Sequence, residues 1–217
     1  QRESKNVREN AGVLDGSTLG KIEIKGKDAL AFMNLIYTNS FSKMKPGTSR
    51  YALMLGEDGM VKDDGIICKI SDEHFIATTT TGGAATVLGC MEEYAQTEWP
   101  NLNVYMNSIT EQYATFNISG PKTRNIIEKV FPEVNFSNEA FPFMTFQFHE
   151  YEDTPIRILR ASFTGEMGYE IYVPSNQAQK IWEKIISFGK EFGLMPYGTE
   201  TMHLLRAEKG YIIVGQD

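Results

Sequence analysis

Residues 51–80 read YALMLGEDGMVKDDGIICKISDEHFIATTT, and the order of elements in this stretch decides the fold class. The pattern predicts strands over 51–55 and 61–70, joined at Gly56-Glu57-Asp58-Gly59, a strong turn signal, and a third strand over 74–80. Strands that follow one another in this way break the strict alternation of a doubly wound fold. They favour α+β with largely antiparallel sheets and packed helices.

Outward from this stretch the same grammar recurs. On the N-terminal side, residues 21–25 alternate with Ile22 and Ile24 on one face, and Ala29, Phe32, Met33 and Ile36 then fall at helical spacing. On the C-terminal side, Val87, Leu88, Met91 and Tyr94 mark a helix after Gly82-Gly83. Strands are expected over 103–109 and 113–118, followed by a helix opened by Gly120-Pro121. Residues 143–151 alternate, with Met144, Phe146 and Phe148 on one face, and strands over 156–162 and 169–173 follow. Pro174-Ser175 starts an amphipathic helix with Ala178, Ile181, Trp182, Ile185 and Ile186 inward, and a last helix over 199–209 ends at Gly210. The domain reading is a smaller α+β module, 51–140, inserted in a larger one formed by 1–50 and 141–217. The strand-like run 211–214 with nothing after Asp217 marks the chain as a piece of a longer protein.

The 217 residues are 41% hydrophobic and 23% charged, an ordinary globular composition. A chain of this size buries roughly 70% of its unfolded surface, enough for one large core or two small ones. The formal charge of -7 argues against nucleic acid or an anionic membrane as partner. No run is long enough for a membrane span and no signal pattern opens the chain. Cys68 and Cys90 have neither CxxC spacing nor nearby histidines, which fits a reducing cytoplasm and excludes a zinc site. His74, His149 and His203 share no motif, so no metal cluster is expected.

Three stretches carry polar residues where a plain core has no use for them. In Lys62-Asp63-Asp64-Gly65 the two aspartates point to opposite faces of one strand and form no dyad; one is free to face a cavity while the other faces water, or both sit at a solvated hairpin end. In 163–170, Glu170 alternates against Tyr169 and Ile171. Its two acceptor oxygens suit a ligand that presents two adjacent N–H groups, as a pterin ring does, and equally a solvent-facing hairpin. Thr78-Thr79-Thr80-Thr81-Gly82-Gly83 lacks the pattern of a phosphate loop and reads as a helix entry.

Taken together, several blocks resemble the folate-binding domain of the glycine-cleavage T-protein (aminomethyltransferase) superfamily. They are 12–22 (GVLDGSTLGKI), Tyr37-Thr38-Asn39, the Asp63-Asp64 strand, Thr164-Gly165-Glu166 with Gly168-Tyr169-Glu170, and 205–210 (LRAEKG) with Gly215-Gln216. Within it the wording is most similar to the branch formed by alpha subunits of heterotetrameric sarcosine oxidases, notably in 51–59, 78–85, 97–100 and 205–217. The resemblance covers nearly the whole chain. It implies the fold of that domain and a site for tetrahydrofolate, on which a one-carbon unit from an amine becomes 5,10-methylenetetrahydrofolate. It also implies a flavin-carrying beta subunit as partner, with FAD, FMN and NAD in the full complex and not in this piece. The C-terminal barrel and the N-terminal dinucleotide-binding domains of that branch lie outside the chain.

Carried over residue by residue, the resemblance matches Asp63 to the family's essential aspartate and Glu170 to its pterin-binding glutamate. Backbone around Ala77 and Thr78 and the side chain of Thr80 match the strand lining the pterin. Folate nitrogens attack an electrophilic methylene carbon and lose a proton as the ring closes, so a carboxylate in reach can orient the nitrogen, stabilise the cation and take the proton. The chain departs from T-proteins at Phe163 (commonly Tyr), Thr80 (Asn) and Met202 (an Arg that contacts folate), and the loss of that Arg fits the oxidase branch better. The competing readings are a T-protein, a dimethylglycine-type dehydrogenase or oxidase, and a folate-binding module without catalysis.

Overall fold

The computed structural model describes residues 1–216, so Asp217 lies outside it. The chain divides into two compact units, residues 1–17 with 112–213, and residues 18–111 with the stretch after 213.

The second unit is built on a five-stranded antiparallel sheet. Its strands are β2 (Gly20–Lys25), β3 (Thr48–Leu55), β4 (Val61–Ser71), β5 (His74–Thr79) and β6 (Tyr105–Ser108), in the order β3-β4-β5-β2-β6. Ile22 and Ile24 of β2 are buried, as their alternation requires. They pack with Phe32, Met33 and Ile36 of helix α2 (Ala29–Ile36) and with Val87 and Met91 of helix α3 (Ala84–Thr97). The β3–β4 hairpin turns at Gly56–Gly59, where Gly56 N–H donates to Met60 O at 2.8 Å. Its register places Met54 opposite Asp63 and Leu53 opposite Asp64.

The first unit holds a six-stranded sheet made of β1 (Ala11–Asp15), β7 (Tyr113–Ser119), β8 (Phe146–Tyr151), β9 (Thr154–Leu159), β10 (Gly168–Pro174) and β11 (Leu194–Pro196). Their order is β11-β1-β7-β10-β9-β8. All pairings are antiparallel except β1–β11. One face packs on α4 (Thr123–Val130) and α5 (Ala178–Gly189): Ile126, Ile127, Val130, Ile181 and Ile185 close over Phe116, Ile118, Ile158 and Ile171. Helices α1 (Arg2–Glu9) and α6 (Thr199–Lys209) meet through Val7 and Leu205 in a separate small apolar cluster with Tyr197. No helix among the described residues is long and apolar enough to cross a membrane.

The antiparallel α+β reading holds, and several details differ. The units divide near 17 and 111 instead of 51 and 140. The reason is pairing: β2 lies between β5 and β6, which ties residues 18–50 to the hairpins, while β7 lies between β1 and β10, which ties residues after 112 to the other sheet. The strand expected from 143 begins at Phe146. Met144 sits at φ +59, outside the strand, and of the supposed common face Phe146 is buried while Phe148 is 58% exposed. Residues 211–213 form no strand; α6 stops at Gly210 in the left-handed conformation, and Tyr211 N–H returns to Arg206 O.

Strands β4 and β5 approach closely at Gly65, where an added Cβ would lie 1.9 Å from the carbonyl oxygen of Thr78. Backbone must therefore move for any side chain there. Gly65→Ala is expected to destabilise the protein by about 2 kcal/mol or more. Gly82→Ala, whose Cβ would meet nothing within 4 Å, should leave stability unchanged. Urea unfolding midpoints of the two variants check this; equal midpoints would refute it.

Candidate functional site

The second unit presents the aspartate pair. Period-two alternation along β4 sends Asp63 and Asp64 to opposite faces. Asp64 accepts the Tyr51 hydroxyl at 2.8 Å at a partly exposed position. Asp63 is 3% exposed, and its Oδ2 accepts the backbone N–H of Thr80 at 3.2 Å. Burial pushes both carboxyls above the ordinary aspartate range; for Asp63 the side chain and N–H of Thr80 oppose that shift. Among the described residues no Lys, Arg or His forms an ion pair with either aspartate. The buried phenol of Tyr37 is also pushed up, first by burial and then by the charge of Asp63.

The helix entry after β5 serves this carboxylate. Thr80 Oγ1 accepts Gly83 N–H at 3.0 Å and so opens α3, as the sequence predicted. A Cβ on Gly83 would lie 2.6 Å from Thr80 Oγ1 and 2.9 Å from Asp63 Oδ1. Glycine at that position leaves room for an aspartate. Thr78 is engaged differently: its Oγ1 accepts Ile66 N–H at 2.8 Å and donates to Ile66 O at 3.2 Å, replacing ladder bonds next to Gly65. Ala77 is fully buried in the core of this unit, paired with Ile22 on one side and Ile67 on the other. Asp63 and Thr80 are thus brought into contact, while Thr78 and Ala77 serve the sheet.

The first unit holds a cleft lined by Leu14, Asn117, Phe163, Glu170, Tyr197 and Met202, among others. Tyr169 and Ile171 enter the core, and Glu170 between them points to the other face. Glu170 Oε2 accepts the Tyr172 hydroxyl at 2.5 Å. The hydroxyl of Tyr197 is pushed up to about 12 by burial, with the charge of Glu170 adding and a hydrogen bond with Ser119 opposing. Phe163 stacks on Tyr211 with ring centroids 5.7 Å apart. Three residues picked from the sequence, Glu170, Phe163 and Met202, therefore line one cleft. Asn117, Tyr197 and Leu14 escaped notice because only the register of β1, β7 and β10, and for Tyr197 the pairing of β11 with β1, brings them there.

The Thr164-Gly165-Glu166 loop is a wall of this cleft held from outside. Arg8 of α1 donates through Nη1 to Thr164 O (2.6 Å) and Glu166 Oε1 (2.9 Å), and through Nη2 to Glu208 Oε2 (2.7 Å). Glu166 is thereby committed to Arg8. No group of three or more His, Cys, Asp or Glu among the described residues is arranged to hold a metal ion.

Solved structures share this fold. The glycine cleavage system aminomethyltransferase T from Bartonella henselae superposes with a TM-score of 0.83 at 23% identity, over 98% of this chain and 54% of that one. A chain of the heterotetrameric sarcosine oxidase from Corynebacterium sp. U-96 gives 0.62 at 11% identity, over 84% and 85%. In sequence, the chain is 51% identical to sarcosine oxidase subunit alpha of Corynebacterium sp. (strain U-96) over all 217 residues, spanning 22% of that protein. It is 44% identical to the same subunit of Rhizobium meliloti (strain 1021), again over 22% of its length. Against an aminomethyltransferase of Chlorobium phaeovibrioides it is 32% identical, over 99% of this chain and 58% of the relative. The GCVT N-terminal domain family matches residues 1–217, the full length, and the chain belongs to that family.

Proposed function

We propose that this chain binds tetrahydrofolate and transfers a one-carbon unit from an amine onto it, as the folate-dependent part of a sarcosine oxidase. In that setting the methylene carbon left by dehydrogenation of sarcosine is captured as 5,10-methylenetetrahydrofolate, and the dehydrogenation belongs to a flavin-carrying partner subunit. The observation that carries the reading is Asp63. An ionised carboxylate buried without a cation is destabilising, and such a group is retained where chemistry needs it. Full-length membership of the GCVT family, with 51% identity to a sarcosine oxidase alpha subunit, supports that reaction class and favours the oxidase over a T-protein.

The chemistry of the cleft lining suits a pterin. Leu14, Phe163 and Met202 offer apolar and aromatic faces to a flat ring, and Glu170 offers acceptor oxygens to an edge that carries N–H groups. When bound, tetrahydrofolate supplies the nucleophilic nitrogens. Glu170 orients the ring. Asp63, held by Thr80 N–H, stabilises positive charge that develops on a nitrogen and accepts the proton it releases. Its raised pKa makes it a better base than an exposed aspartate.

Two measurements test this on the full-length protein. Titration calorimetry with tetrahydrofolate should show saturable binding that Glu170→Ala weakens by about tenfold or more. A change below about twofold would remove Glu170 from the site.

Asp63→Asn should lower the one-carbon transfer rate by about 10²-fold or more while folate affinity stays near the wild-type value. The same variant has a stability signature. Because the folded-state pKa of Asp63 is raised, the folded wild type gains stability as pH falls through that pKa. Asp63→Asn is therefore expected to melt higher than wild type at neutral pH, with a gap that closes on acidification. A gap that widens in acid would contradict the assignment.

A further inference from the structure

The two faces of the sheet in the first unit are unlike. Ala114, Phe116 and Ile118 of β7 and Tyr169, Ile171 and Val173 of β10 enter the apolar core. Between them, Thr115, Asn117 and Ser119 on β7 and Glu170 and Tyr172 on β10 turn polar side chains to the opposite face. Ser119 bonds with the Tyr197 hydroxyl, and Tyr172 donates to Glu170. The side-chain carbonyl of Asn117 has no such match. Its Oδ1 is buried and accepts no hydrogen bond, and Asn117 lines the same cleft as Glu170. A buried acceptor without a donor is destabilising, and one that opens on a cleft calls for a donor on the ligand.

Register says which donor. Asn117 stands directly opposite Glu170 in the β7–β10 ladder, which sets their Cβ atoms about 4.5–5.5 Å apart. An amino group with hydrogens about 120° apart, each bonded at about 2.9 Å, spans two acceptors about 5 Å from each other. At that spacing of the two residues one exocyclic amino group can reach an acceptor on each side chain. We propose that Asn117 is a further ligand-binding residue of this cleft, accepting the second hydrogen of the exocyclic amino group whose first hydrogen goes to Glu170. This rests on the reading of the cleft as a pterin site and adds its selectivity. Asn117 makes the cleft discriminate an amino-bearing ring from one with a methyl group of similar size in its place, because the methyl offers no donor to the buried Asn117 Oδ1.

The test is a pair of titrations on the full-length protein, with tetrahydrofolate and with its 2-desamino-2-methyl analogue. Asn117→Leu is expected to weaken tetrahydrofolate about tenfold while the analogue changes by less than about twofold. An equal loss for both ligands means general damage to the cleft and overturns the proposal, as does no loss for either. Should Asn117→Leu melt early, the smaller Asn117→Ser must give the same selective loss. A wild type that binds neither ligand, or a Glu170→Ala variant that binds tetrahydrofolate unchanged, sinks the pterin reading and this inference with it. A protein sensitive at Glu170 and indifferent at Asn117 sinks this inference alone.

Discussion

A β-strand turns successive side chains to opposite faces, and both candidate carboxylates depend on that rule. On β10 it delivers Tyr169 and Ile171 to the core and Glu170 to the cleft. On β4 it separates two adjacent aspartates, so that Asp63 is buried against Thr80 while Asp64 meets Tyr51 at the surface. A slip of one residue would exchange the two sets and drive Glu170 into the apolar core. Register is therefore strongly specified here, and the apolar residues that specify it sit beside the candidate site residues. Ile118 opposite Tyr169 holds the alignment that sets Asn117 opposite Glu170.

Much of the fold was legible for this reason. Period-two stretches such as 20–25 and 168–174 and helical spacing such as Ala29, Phe32, Met33 and Ile36 express burial on one face, and burial is written in residue type. What stayed hidden lacks that signature. Helix α1 has one fully buried apolar side chain, Val7, and is held largely by the polar network of Arg8. Strand β11 is three residues long and is defined by its partner β1. The division into units was misplaced because a strand's partner is not encoded in its own sequence: β2 reads the same whether its neighbour is β5 or β1. Among candidate site residues, Asp63 and Glu170 stood out as carboxylates in apolar strands. Asn117 could not, since a single Asn in a strand gains meaning only from what lies opposite.

The region around Asp63 shows how local geometry was shaped for a group that lowers stability. Burial opposes its ionisation, and the side chain and N–H of Thr80, with the backbone N–H of Asp64, offset part of that penalty. Two glycines make the arrangement possible. Gly65 lets β4 approach the Thr78 carbonyl, and Gly83 leaves space where a side chain would strike the carboxylate. Glycine weakens a strand interior unless something requires it. Here contact distances show what requires it, and at Gly83 the requirement is Thr80 Oγ1 together with the aspartate it supports.

The Thr164-Gly165-Glu166 stretch illustrates a motif whose residues act at one remove. Glu166 is bonded to Arg8, and Arg8 also holds Thr164 O and Glu208. One guanidinium thus ties a cleft wall to α1 and α6, two helices far apart in sequence. Bonds of this kind, charged and partly shielded from water, are stronger than exposed ion pairs. They set where Phe163 and Thr164 stand without touching whatever the cleft holds. A residue can therefore carry a family resemblance through the frame it builds, and Glu170, four positions later, through the face it presents.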